Sequence, residues 1–137
     1  MKVKLDKLKK ISNRKGKIIK VLSKSSKNFK KFGEVYLSHV KYNSVKAWKK
    51  HSLANINLTV IKGKVKFVFY DQKNNNFKSI VLSEKINKII FIPKKCWFGF
   101  KGLSKSENVI LSISSHLSSK REIIRKNLKE IKFNWNL

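Results

Sequence analysis

The sequence has few of the residues that many specialised protein sites require. Its 137 residues include one cysteine, one proline, five glycines and seven acidic side chains. The single cysteine, Cys96, excludes an intramolecular disulfide and any zinc site built from several cysteines. We expect Cys96 to be structural, because no base that could activate its thiol can be identified beside it.

Metal-binding and nucleotide-binding motifs are also missing. The three histidines, His39, His51 and His116, form neither an HxH nor an HExxH pair, and the carboxylates are too few to complete a metal cluster. The phosphate loops GxGxxG and GxxxxGK[ST] and the serine-hydrolase motif GxSxG are absent. We therefore expect a protein that uses no metal and no cofactor.

Long apolar runs are absent as well. No stretch approaches the roughly 18 consecutive apolar residues that a membrane-spanning helix requires. The N-terminal stretch MKVKLDKLKKISNRKGK is positively charged but lacks the apolar run of a signal peptide behind it. We expect a cytoplasmic protein without a membrane span.

Positive charge, in contrast, is abundant. The 34 lysines and arginines give a formal net charge of +27. Most of them are lysines spread along the whole chain, whereas nucleic-acid recognition usually draws on arginine. This distribution favours a solvated lysine-rich surface, with a field that attracts an anionic small molecule as the next alternative. Specific nucleic-acid binding is the weakest of the three interpretations.

Short strand-like runs recur along the chain and are separated by polar turns. In the run INLTVIKGKVKFVFYD, Val65, Phe67 and Phe69 alternate with other residues, and Lys62-Gly63 predicts a hairpin turn. The other runs are GKIIKVL, GEVYLSHV, NSVKAW, FKSIVLSE, KINKIIFIP, WFGFKGLS and NVILSISSH. The pattern predicts a single all-β domain over residues 1–137, folded as a sandwich or barrel.

The two ends of the chain differ from this pattern. We expect residues 1–15 to form a mobile N-terminal segment and residues 118–137 to form a C-terminal tail. In that tail Ile123, Ile124 and Leu128 lie at helical spacing, which predicts a short C-terminal helix.

His51 is the histidine best placed for chemistry. It follows the strand VKAW and precedes the strand INLTV, so it could lie at the mouth of a barrel. A neutral imidazole there could take a proton from a carbon next to a ketone. Lys46, Lys49 and Lys50 would lower its pKa through like charge and could bind a diphosphate or stabilise an enolate oxygen. The alternative is a surface or core-edge histidine in a lysine-rich loop.

Aromatic and amide side chains provide further binding candidates. Trp48 and Phe100 could be ring-stacking walls for a base or sugar, although aromatic residues in strands are usually core. Asn55, Asn57 and Thr59 alternate in phase, so we expect the face that they share to point into the barrel and contact substrate.

Several motifs together resemble a known family. They are FGEVYLSHV, VKAWKKH, TVIKGKVKFVFYD, IPKKCWFGFKGLS, NVILSIS and LKEIKFNW, in this order along most of the chain. They resemble the sugar-nucleotide cupins, namely the dTDP-4-dehydrorhamnose 3,5-epimerases and the dTDP-4-keto-6-deoxyhexose ketoisomerases. The resemblance implies a double-stranded β-helix (jelly-roll) barrel without a metal, a homodimer, and a nucleotide-linked keto sugar as partner.

The resemblance carries over to individual residues unevenly. His51 stands twelve positions before Gly63, where the ketoisomerase motif has the histidine base. Lys49 occupies the position of the other motif histidine, and Lys46 that of the motif arginine, so the charge is kept without the bidentate fork. The partner tyrosine of the epimerases would fall near Leu111, where this sequence has no tyrosine. This difference argues against a standard double epimerisation.

These observations lead to two functional hypotheses. The first is a sugar-nucleotide epimerase or isomerase of bacterial surface-glycan biosynthesis, in which His51 transfers the proton. Its substrate contacts would be Lys46, Trp48, Lys49, Asn55, Asn57 and Phe100. The second hypothesis is a non-catalytic cupin that binds a sugar nucleotide or anionic glycan and has lost its acid–base pair.

Overall fold

The structure, a computed structural model, describes residues 2–136, which form twelve strands. The first six strands are β1 (Lys4–Lys7), β2 (Lys9–Asn13), β3 (Gly16–Lys20), β4 (Glu34–His39), β5 (Val45–His51) and β6 (Ile56–Lys62). The remaining six are β7 (Lys64–Asp71), β8 (Asn76–Ser83), β9 (Lys88–Ile92), β10 (Trp97–Gly102), β11 (Val109–Ser114) and β12 (Ile123–Arg125). The predicted all-β class is confirmed.

Two five-stranded antiparallel sheets form the body of the protein. Sheet 1 has the strand order β1-β9-β6-β11-β4, and sheet 2 has the order β12-β5-β10-β7-β8. From β5 to β7 and again from β8 to β11 the chain alternates between the sheets, as a jelly roll requires. The strands β2 and β3 pair separately as a two-stranded ribbon.

The turn at Gly63 is correctly predicted, but the hairpin is not. β6 pairs with β9 and β11 in sheet 1, whereas β7 pairs with β8 and β10 in sheet 2. Gly63 has a positive φ of 78°, and a Cβ there would lie 2.0 Å from the Glu107 carbonyl oxygen. The turn therefore carries the chain from one sheet to the other, since a glycine turn between apolar runs does not specify which neighbours the strands pair with.

The core lies between the two sheets. From sheet 2, Val65, Phe67 and Phe69 are completely buried, as their alternation predicts. They belong to one cluster with Leu58 and Ile110 of sheet 1. Each such side chain contributes roughly 1.5–3 kcal/mol through burial of apolar surface. This packing fixes the distance between the inner faces and so the positions of the polar groups among them.

The predicted C-terminal helix is wrong. Residues 118–136 contain no helix; Ile123–Arg125 forms β12, which pairs with β5. Beyond it Ile131, Phe133 and Trp135 alternate at a period of two and pack on Trp48, on the outer side of sheet 2. The Trp48 indole N–H donates a hydrogen bond to the Ile131 carbonyl at 2.9 Å. The tail is extended because its alternating apolar side chains cover the apolar outer face of sheet 2.

The N-terminal segment, for which we expected mobility, is paired in the structure. β1 lies at the edge of sheet 1 against β9, and β2 pairs with β3. Ile11 and Ile18 face each other in that ribbon and are exposed. Within residues 2–136 there is no helix that could cross a membrane.

Candidate active site

His51 is the last residue of β5, and its ring lies inside the sandwich. The side chain is 3% exposed, so His51 is not a surface histidine. Its imidazole stacks on Phe98 of the neighbouring strand β10, with ring centroids 6.0 Å apart and planes tilted by 17°. Its Nδ1 lies 2.7 Å from Oε2 of Glu122, which is equally buried.

Glu122 is held by the backbone as well as by the histidine. Glu122 immediately precedes β12. Because Ile123 of β12 pairs with His51 of β5, Glu122 comes to lie next to the end of β5. Its Oε1 accepts hydrogen bonds from the backbone N–H groups of Ala54 at 2.9 Å and Leu53 at 3.2 Å. Burial by itself would raise the pKa of Glu122, but these bonds and the one from His51 outweigh it, so the pKa lies below its ordinary value.

Burial and the charged neighbours of His51 together determine its protonation state. Burial lowers the pKa of His51 more than the Glu122 carboxylate raises it, and the charges of Lys49 and Arg125 lower it further. The imidazole is therefore neutral at neutral pH, with its proton on Nδ1, where the carboxylate accepts it. Its Nε2 is buried and has no hydrogen-bond partner. An unpartnered basic nitrogen held in a fixed orientation can take a proton from a bound ligand.

Lys49 lies two positions before His51 on the same strand, and its side chain reaches the Phe98 ring, on which His51 stacks. Its Nζ lies 5.5 Å from the centre of the Phe98 ring and 6.0 Å from that of Tyr36. Burial lowers the pKa of Lys49 most, and the positive charges of Arg125 and Lys46 lower it further. The site therefore holds a desolvated lysine with a lowered pKa beside its neutral imidazole.

Tyr36 enters the site from the opposite sheet. It lies on β4 directly across from Ser112 of β11, and the Ser112 side chain is its hydrogen-bond partner. Burial raises the pKa of Tyr36 in spite of that hydrogen bond. Its phenol is therefore protonated at neutral pH and can donate a hydrogen bond to an oxygen that gains negative charge.

A basic pocket of about 370 Å³ opens beside these groups. The side chains that define its chemistry are Ser38, Lys46, Lys49, Phe98, Phe100 and Arg125. Lys46 is held in place by a hydrogen bond of 2.7 Å from its Nζ to the His39 carbonyl. Several cations around apolar rings favour a ligand that combines an anionic group with a flat or weakly polar one.

The structure brings together four of the seven residues proposed from the sequence. His51, Lys46, Lys49 and Phe100 all lie on the inner side of sheet 2 or at its pocket. Lys46 and Lys49 face the same side although they are three apart, because the register between β5 and β10 shifts there. Trp48 borders the pocket, but its ring belongs to the outer cluster under the C-terminal tail.

The two asparagines do not join this group, and the expected orientation of their strand face is wrong. Asn57 lies across from Ile113 and donates a hydrogen bond to the Asn28 carbonyl on the outer side of sheet 1. Thr59 donates to the Lys88 carbonyl, while Asn55 accepts from the Lys94 backbone N–H. The residues of β6 that alternate with these, such as Leu58, face inward and belong to the core.

Three residues of the site were missed from the sequence: Tyr36, Glu122 and Arg125. Tyr36 had a usable signal, since Tyr36 and Ser38 alternate along β4 with the exposed Val35 and Leu37. That pattern indicates a strand whose polar face is turned inward. Glu122 had no such signal, because its role depends on a contact 71 positions away.

The remaining polar candidates form no second centre. Within residues 2–136, no three His, Cys, Asp or Glu side chains lie close enough together to hold a metal ion. Cys96 is buried, and burial raises the pKa of its thiol to about 11. At neutral pH the thiol is therefore protonated and unreactive.

Comparison with solved structures identifies the architecture. A dTDP sugar isomerase from Desulfovibrio desulfuricans is 26% identical, with a TM-score of 0.89 over 98% of this chain and 91% of that chain. A histidine-to-asparagine mutant of the 3,4-ketoisomerase QdtA from Thermoanaerobacterium thermosaccharolyticum, in complex with TDP-4-keto-6-deoxyglucose, is 21% identical. Its TM-score is 0.79, over 94% of this chain and 91% of that chain.

An epimerase has the same fold. RmlC, the dTDP-6-deoxy-D-glucose-3,5-epimerase of Legionella pneumophila in complex with dTDP-4-keto-L-rhamnose, is 15% identical. Its TM-score is 0.84, over 98% of this chain and 79% of that chain. No curated protein sequence is significantly similar to the chain. Residues 1–133 match the family described as FdtA, WxcM-like, C-terminal. With its RmlC-like cupin fold and a match that spans nearly all of its length, the chain belongs to the FdtA family.

Proposed function

We propose that this protein is a dTDP-4-keto-6-deoxyhexose 3,4-ketoisomerase that works in the cytoplasm, in bacterial surface-glycan biosynthesis. The observation that carries the proposal is the buried pair of His51 and Glu122: the Nε2 of His51 is unpartnered, and its ring stacks on Phe98, which lines the cationic pocket. Its similarity to a dTDP sugar isomerase and to QdtA supports this substrate class and reaction.

The chemistry follows from the groups around the imidazole. A ketone at carbon 4 of the sugar acidifies the hydrogen at carbon 3, and the neutral Nε2 of His51 removes it. The phenol of Tyr36 and the nearby cations stabilise the negative charge that moves onto the ketone oxygen. Lys46 and Arg125 attract the diphosphate, and the net charge of +27 favours the approach of an anionic substrate.

Hydrogen exchange tests this function directly. We expect the protein, incubated with dTDP-4-keto-6-deoxyglucose in deuterium oxide, to form the 3-keto isomer and to introduce deuterium next to the carbonyl. Proton NMR resolves both changes, and the same substrate without protein is the control. Deuterium at carbon 5 with an inverted methyl group would indicate epimerisation instead. Absence of both exchange and isomer would end the enzymatic proposal.

Two observations favour the non-catalytic alternative. Lys49 stands where the ketoisomerase motif has a histidine, and the Nε2 of His51 is enclosed by neighbouring groups. A binding protein with this pocket would take up the sugar nucleotide tightly, and calorimetry would detect that binding. Tight binding without any deuterium exchange would replace the isomerase by this alternative.

We also propose that the protein is a homodimer that associates through the outer face of sheet 1. On β4, Val35 and Leu37 are each 52% exposed, and they lie directly across from Ile113 and Leu111 of β11. Phe32 at the same edge is 63% exposed. A contiguous apolar area of this kind on a soluble domain marks an association surface.

Charge placed on this face should separate the subunits. We expect the double substitution Val35→Lys and Leu37→Lys to shift the mass measured by light scattering from two chains to one, because buried lysines would repel each other across the interface. Val81→Lys on β8, at a comparably exposed apolar position of sheet 2, is the matched control and should leave the mass unchanged. A dimer that persists in the double variant would show that this face is not the interface.

A further inference from the structure

Lys49 and His51 form a pair on the inner face of β5. They are two positions apart on one strand, so their side chains leave the same face of the sheet. Both lie against the ring of Phe98, the imidazole stacked on it and the lysine Nζ 5.5 Å from its centre. Tyr36 of the opposite sheet borders Lys49 at 6.0 Å. A sugar ring that reaches the imidazole would therefore contact the amine as well.

The groups that face Lys49 come from several elements. Arg125 of β12 and Lys46 of β5 disfavour its charged form, whereas Glu122 favours it. Tyr36 of β4 supplies a protonated phenol, and His51 is neutral. Burial is the largest influence on Lys49 and lowers its pKa. A lysine in these surroundings gives up its proton more easily than a solvated lysine does.

The neighbouring groups are less suited to carrying a proton in both directions. Arg125 presents a guanidinium, which offers a fork of hydrogen-bond donors and no acceptor. Lys46 is tied to the His39 carbonyl by its hydrogen bond of 2.7 Å. Burial raises the pKa of Tyr36, so its phenol keeps its proton and does not ionise easily.

We propose that Lys49 is the second acid–base residue of this site and carries a proton between the two oxygens of the sugar while His51 moves the carbon-bound proton. This role rests on the proposed ketoisomerase function. Lys49 would thus act as an acid–base residue at the position where related motifs have a histidine. The acid–base pair of this chain would then consist of an imidazole and a lysine amine.

Atoms and charges balance over the two steps. In the first, the C–H bond at carbon 3 breaks to His51 Nε2, its electron pair forms the double bond to carbon 4, and the ketone oxygen takes a proton from the Lys49 ammonium. In the second, the neutral Lys49 amine takes the hydroxyl proton at carbon 3, where the new ketone forms. Carbon 4 then takes its proton from the His51 imidazolium. Both residues return to their starting protonation states.

Two substitutions separate proton transfer from charge. Lys49→Arg keeps the positive charge but cannot release a proton, and Lys49→Met keeps the length without charge. We expect both to lower the turnover of dTDP-4-keto-6-deoxyglucose about 100-fold. Deuterium exchange at carbon 3 of recovered substrate should fall much less, because His51 still removes that hydrogen. Lys50→Met is the matched control on the same strand, since Lys50 lies over Trp97 instead of Phe98.

Each outcome decides the role of Lys49. A large rise in the ratio of exchange to turnover in both variants, with unchanged melting temperature and nucleotide affinity, supports proton transfer. Turnover by Lys49→Arg close to that of the wild type would reduce Lys49 to a charge and overturn the proposal. Sugar trapped on Lys49 by borohydride would replace proton transfer with imine formation. A wild-type protein that neither exchanges nor isomerises would refute the ketoisomerase function itself, and this role with it.

Discussion

Replacing His51 with asparagine should lower turnover of dTDP-4-keto-6-deoxyglucose by roughly 10⁴-fold, near the upper end of what a positioned acid–base group contributes. Deuterium exchange at carbon 3 should fall in parallel, because the same nitrogen removes that hydrogen in both measurements. No other described side chain combines a neutral imidazole, a fixed orientation and an unpartnered buried nitrogen. This parallel loss distinguishes His51 from Lys49, whose variants should retain exchange.

The choice of asparagine keeps the fold intact. The amide N–H of asparagine can still donate to Glu122, so the buried carboxylate does not lose all of its side-chain partners. His39→Asn is the matched control, because His39 is an exposed histidine at the end of β4. Circular dichroism and the melting temperature of both variants establish that a loss of turnover is not a loss of structure. Unchanged exchange in His51→Asn would remove His51 from the mechanism.

The pH dependence of the wild type should reflect the same nitrogen. The reaction requires neutral His51, so kcat/KM falls as the pH drops through the pKa of the imidazole. Burial lowers that pKa, which places this acidic limb below the ordinary histidine value of about 6.5. A limb above that value would indicate that another group titrates.

The fold was accessible from the sequence because its signal is local. Val65, Phe67 and Phe69 alternate over one strand, and burial of one face requires that alternation wherever the strand pairs. Pairing partners are not local, which explains the error at Gly63. A glycine turn brings two strands close, but the packing of the whole sandwich determines whether they share a sheet.

The orientation of β6 was inaccessible for a different reason. Its residues Ile56 to Val60 are all buried, since the segment around Asn28 covers the outer face while the core covers the inner one. A strand that is buried on both faces carries no alternation from which inside and outside can be distinguished. The sequence therefore predicts the wrong side of the strand for Asn57.

The C-terminal segment shows how an ambiguous period concealed part of the site. Ile123, Ile124 and Leu128 fit helical spacing, but Ile131, Phe133 and Trp135 follow a period of two. The second pattern prevails because those three side chains cover the apolar outer face of sheet 2. The resulting extended tail presents β12 to β5, and only that pairing brings Glu122 to His51.

Replacing Glu122 with glutamine should lower turnover by roughly 10³-fold with little loss of stability, because the change would reverse the tautomer of His51. The glutamine carbonyl can still accept from the backbone N–H groups of Leu53 and Ala54, as Oε1 does now. Its amide nitrogen would then face Nδ1 and donate to it, which moves the imidazole proton to Nε2. A protonated Nε2 cannot act as the base, although every heavy atom remains in place.

Nitrogen-15 NMR of the histidines measures this tautomer independently of turnover. We expect Nδ1 to carry the proton of His51 in the wild type and Nε2 to carry it in Glu122→Gln. Glu130→Gln, an exposed carboxylate of the same tail, is the control and should change neither the spectrum nor the rate. If Glu122→Gln lost turnover while Nδ1 kept its proton, the carboxylate would act through its charge on the imidazolium formed during the reaction. If turnover were unchanged, Glu122 would be a structural link between β12 and β5, and the orientation of His51 would have to come from Phe98 alone.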